Sequence, residues 1–104
     1  MAFNFNLVLG DMANAIKENS ADASGNISTY AKMVMEKEKI SLQELAIARL
    51  DGDISEQEFN DEVAREKKVL QAELLTLKIM GKAMAQKAVN AAMGVFINAI
   101  KVAI

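Results

Sequence analysis

Hydrophobic positions in this chain recur every three, four and seven residues, the spacing that places side chains on one face of a helix. Phe3, Leu7, Val8, Met12, Ala15 and Ile16 mark a short amphipathic helix from about Phe3 to Glu18. The period then stops. Residues 18–26 are small and polar, end in a Gly-Asn pair, and predict a flexible loop, so 1–26 forms a short helix with a linker behind it. A second helical run covers about Ile27 to Leu50, with Met33, Ile40 and Ile47 seven residues apart and Met35, Leu42, Leu45 and Ala46 beside them. The run Glu36-Lys37-Glu38-Lys39 interrupts this stripe and predicts a solvated face of alternating charge. Ser41 and Glu44 have the spacing of a capping box, which allows a break near Lys39.

The third run starts at about Ser55 and continues to the carboxyl terminus. Phe59, Val63, Leu70, Leu74, Leu77, Met84, Ala88, Val95 and Val102 predict one continuous helix face. It spans roughly 48 residues, or ~70 Å at ~1.5 Å per residue. The second run is about half that length, so the rest of the face needs cover from elsewhere. The expected oligomer interface is Leu70, Leu74, Leu77, Met84, Ala88, Ala92, Val95, Phe96 and Ala99.

Between the two long runs, Gly52 is placed to cap the end of a helix in the left-handed region. Ser55 and Glu58 form a capping box that opens the next one, followed by Asp61 and Glu62 in the turns where a helix dipole favours acids. The segment Asp51–Phe59 is similar to the second half of an EF-hand loop, but that family's first and third ligand positions fall on Ile47 and Arg49, which argues against calcium. The pattern Leu42, Leu45, Leu50, Gly52, Ile54, Glu58, Phe59 and Leu70 resembles SHOCT, a short helical-hairpin module. That resemblance covers residues 42–70 and implies an accessory oligomerisation or docking hairpin.

From Ala88 to Ile100 there is no charged residue. Gln86, Asn90, Gly94 and Asn98, four residues apart, make one narrow stripe that is polar or small, and Gly81, Ala85, Ala88 and Ala92 are small enough to let helices approach closely. One reading folds this segment back with the first two helices as the centre of an ordinary helical bundle. Packing against copies of itself, the reading preferred here, would let the Asn stripe fix register, as buried polar residues do in coiled coils. The segment 79–104 carries Lys82, Lys87 and Lys101 and no acid, whereas all fourteen acidic residues precede it. An acidic body with a basic, apolar tail follows.

Composition narrows the chemistry. The chain has 104 residues, enough for one modest core, with 52% hydrophobic residues and only 5% aromatic. With no Cys and no His it lacks a thiolate nucleophile, a sulfur metal site and the usual proton shuttle near neutral pH. Nucleotide-loop and nucleophile-elbow motifs are missing, and a net charge of −2 without basic clusters argues against nucleic acid. The amino terminus shows no signal-peptide pattern, so the expected location is cytoplasmic, or exported without a cleavable signal.

The sequence therefore predicts an all-α chain. Its body, 27–104, is a helical hairpin with arms 27–51 and 55–104, the second long, and its helices pack in an oligomer. The expected function is a non-enzymatic structural or interaction subunit, with no cofactor, that self-assembles through the long carboxyl-terminal helix into an oligomer or filament. Subunits of secretion or phage machines are analogous in size and shape. Its partner is itself or another helical protein. The alternative is a membrane-associating or pore-forming protein that uses the basic apolar segment.

Overall fold

The computed structural model describes residues 3–19, 26–77 and 80–104, and every regular element among them is an α-helix. Asn4 opens α1 (Phe5–Glu18), its side-chain oxygen accepting the Leu7 N–H at 3.1 Å, which satisfies one of the free donors at a helix start. Phe5, Val8, Leu9, Met12, Ala13, Ala15 and Ile16 form its buried face. Residues 20–25, the middle of the expected linker, lie outside the described residues.

Helix α2 (Asn26–Leu50) runs without a break past Lys39, so Ser41 and Glu44 open no new helix. It ends in a Schellman turn. The Asp53 N–H donates to the Ala48 carbonyl at 2.8 Å and the Gly52 N–H to that of Arg49 at 3.2 Å, with Gly52 at φ 77°. Helix α3 (Glu56–Thr76) then opens on a reciprocal capping box. The Glu58 N–H donates to Ser55 Oγ at 3.1 Å, and the Ser55 N–H to Glu58 Oε1 at 3.0 Å.

The arm expected to continue unbroken to the carboxyl terminus is divided. Thr76 ends α3, and Gly81, extended at φ −78° and ψ 171°, caps a separate helix α4 (Lys82–Ala103). The break lets the apolar tail fold back on its own chain. Ala85, Ala88, Val89, Ala92, Met93, Phe96 and Ile100 are buried along α4. Burial of that stripe is worth about 25 cal/mol per Å² of apolar surface, whereas an extended arm would leave it in water.

The most extensive packing joins α1 to α4; α1 also packs on α2, α3 on α4 and α2 on α3, while α2 and α4 scarcely touch. The helices therefore close a ring, with α2 and α4 on one diagonal. The longest dimension is 40 Å, little more than the ~37 Å that 25 residues of α2 occupy at ~1.5 Å each. Met12, Ile16, Ile27, Leu42, Leu70, Leu74, Met93, Phe96 and Ile100 fill the centre, where Phe59 and Phe96 stack at 6.1 Å between ring centroids.

Candidate interaction surface

The expected interface residues are placed differently from the sequence reading. Leu70, Leu74, Ala88, Ala92 and Phe96 are fully buried within this one chain, Leu77, Val95 and Ala99 pack partly buried against the same core, and Met84 is half-buried. Most of their surface is therefore taken up by the core of this one chain. Gln86, Asn90, Gly94 and Asn98 are all exposed, so the polar stripe is the solvent side of α4 and fixes no register within the bundle.

The face left without cover lies on α2. Its buried side carries Ile27, Ala31, Val34, Met35, Leu42, Leu45 and Ala46. On the opposite side Met33, Ile40 and Ile47 are 58%, 69% and 50% exposed. Seven residues fall only about 20° short of two full helical turns, so the three side chains line up along the helix. They stand ~10.5 Å apart at ~1.5 Å per residue. The seven-residue spacing of Met33, Ile40 and Ile47 is thus a surface feature, and among the described residues no helix covers it.

With Met33, Ile40 and Ile47 as the first position of each heptad, Lys37 and Glu44 occupy one flank and Lys32 and Lys39 the other. Lys39 is balanced by Glu36 at 3.9 Å. Lys37 reaches Glu73 of α3 at 3.8 Å but keeps 72% of its side chain exposed, a geometry in which an ion pair contributes little. Glu44 is exposed.

Other polar clusters have local duties. At the start of α3, hydrogen bonds from Ser55 hold the Glu58 carboxyl below its ordinary value. Gln57 donates to Asp61 at 3.1 Å, and Arg65 pairs with Glu62. An open cleft of about 420 Å³ between α2 and α3 is lined by Glu44, Glu58, Asp61, Glu62 and Glu66 with Arg65. Among the described residues no group of acids has the arrangement of a metal site, and no helix is long and apolar enough to cross a membrane. A smaller apolar patch joins the start of α1 to the end of α4, where Leu7 and Val102 are 62% and 67% exposed and line one shallow cleft. No family model matches the chain, and no curated protein or solved structure is similar to it.

Proposed function

We propose that this chain is a non-enzymatic helical docking subunit that pairs with a second copy of itself through the outer face of α2. The observation that carries the reading is the line of Met33, Ile40 and Ile47, exposed at heptad spacing on a helix whose opposite side is fully used by the core. Lys37 favours one orientation. In an antiparallel pair centred on Ile40, Met33 meets Ile47 of the second copy, and Lys37 meets Glu44 on both sides of the axis. A parallel pair brings Lys39 against Glu44 but Lys32 against Lys37, like charge on like, and leaves Lys37 without an acid. The likeness of residues 42–70 to a docking hairpin points the same way. Assembly stays the theme of the molecule, moved from the buried tail to the outside of α2.

Sedimentation equilibrium over a concentration series tests this. Wild type is expected to move from monomer to dimer, and Ile40→Lys, at an exposed position, to remain a folded monomer. Lys37→Glu weakens the dimer, and Lys37→Glu with Glu44→Lys restores it. Wild type that stays monomeric at every concentration would sink the proposal. A second reading, attachment to an anionic membrane surface, has the exposed Leu7 and Val102 beside Lys101 in its favour. Co-sedimentation of monomeric protein with anionic vesicles would favour it instead.

A further inference from the structure

Carboxylates are rare between packed helices, yet three meet where α2 lies on α3. Glu38 sits four residues from both Val34 and Leu42, on the buried side of α2. Glu66 and Glu73 lie seven residues apart on α3, with the fully buried Leu70 between them. Glu66 is only 6% exposed, and the Glu73 side chain 16%. Glu38 is close enough to raise both electrostatically, while Glu66 and Glu73 each keep a buried Oε2 with no partner. A hydrogen bond between two carboxyl groups requires a proton on one of them.

Cations offer little relief. Lys37 approaches Glu73 from the solvent side, and Arg65, next to Glu66, is 70% exposed and paired with Glu62, which adds a further negative charge. The other helix packed on α3 is α4, whose charged residues are Lys82, Lys87 and Lys101, all exposed.

We infer that the α2–α3 seam is a proton-operated latch, in which protonated Glu66 and Glu73 share hydrogen bonds with Glu38 and hold the helices together, and their ionisation sets three like charges in the seam and loosens it. The inference stands on the seam's own geometry and does not depend on how α2's outer face is used. Burial, and after it the proximity of Glu38, push Glu73 from an ordinary 4.5 up to about 7. Burial and the charge of Glu38 also raise Glu66. A carboxyl raised in the folded state binds more protons folded than unfolded, so its contribution to stability is complete below 4.5 and is lost as pH climbs to about 7.

The test is thermal unfolding of the full chain between pH 4.5 and 8, at one protein concentration, for wild type, Glu73→Gln and Glu66→Gln/Glu73→Gln. Gln keeps a hydrogen-bond donor for Glu38 and carries no charge. Wild type is expected to melt at progressively lower temperature as pH rises through this window, the single variant to show a shallower fall, and the double variant a flat profile with a higher melting temperature than wild type at pH 8. Amide exchange, corrected for its intrinsic pH dependence, should show protection at Glu38, Leu42 and Leu70 falling with pH ahead of α1 and α4. A wild-type melting temperature that does not fall with pH would overturn the latch, as would Gln variants that keep the wild-type slope. If the double variant does not fold, the wild-type profile and its amide exchange still decide the matter.

Discussion

Phe96 and Glu38 show how one position can carry a meaning that its neighbours in sequence do not reveal. Phe96 lies in an uncharged stretch, where an outward-facing oligomer contact and a core plug look alike. In the structure it is fully buried and stacked on Phe59, so it ties α4 to α3. Phe96→Ala should therefore lower stability by about 3–5 kcal/mol, measured by chemical denaturation, because it removes a buried ring and leaves a cavity. A loss below about 1 kcal/mol would mean that α4 is not held this way. Glu38 belongs to a charge run expected on a solvated face, and its neighbours Glu36 and Lys37 are indeed exposed. Glu38 itself points to the buried side, since 3.6 residues per turn carry one member of any four-residue run around the helix. The sequence carries a signal for this: Glu38 is in phase with Ala31, Val34 and Leu42, although it stands in a run of charges.

At the scale of elements, the hairpin turn was legible because several independent devices agree on it: a glycine in the left-handed region, a capping box, and acids in the first turn of α3. The break before α4 was not legible. No Pro, Ser, Thr, Asp or Asn stands at residues 77–81, and Gly81 caps α4 without any side-chain hydrogen bond. The apolar period passes through this stretch unchanged, and the chain folds back because α4 gains a core to lie against. Glycines with different local roles should answer Ala substitution with opposite signs. Gly94 is exposed inside α4, and an added Cβ meets nothing within 4 Å, so Gly94→Ala should raise stability by about 0.5–1 kcal/mol. Gly52 sits at φ 77°, so Gly52→Ala should lower it by about 1–2 kcal/mol despite open space around it. Equal shifts in the denaturation midpoints of the two variants would contradict these roles.

For the molecule as a whole, the all-helical class could be read from periodicity alone, but the arrangement could not. A partner on the tail is needed only where one long arm outruns the helices available to cover it. Two facts remove that imbalance: the arm is two helices, and α1 covers α4 more extensively than any other pair in the bundle is joined. A segment that seemed an appendage from its length and its linker is structural. Removing residues 1–19 should therefore do more than trim a terminus. It uncovers the side of α4 that packs on α1, and the truncated chain is expected to lose its cooperative melting transition by circular dichroism and to aggregate. A truncated chain that melts as sharply as the full one would show α1 to be dispensable.

The pairing of the first helix with the last has a biosynthetic consequence. Phe3 and Leu7 share a cleft with Val102 and Ala103, so the start of α1 and the end of α4 are neighbours in space. During synthesis, α1 emerges with its greasy side bare and waits through the translation of α2 and α3 before its principal mate, α4, appears. Closure of the ring is thus the last step in assembling the bundle, and until then the uncovered nascent helix is open to misassembly.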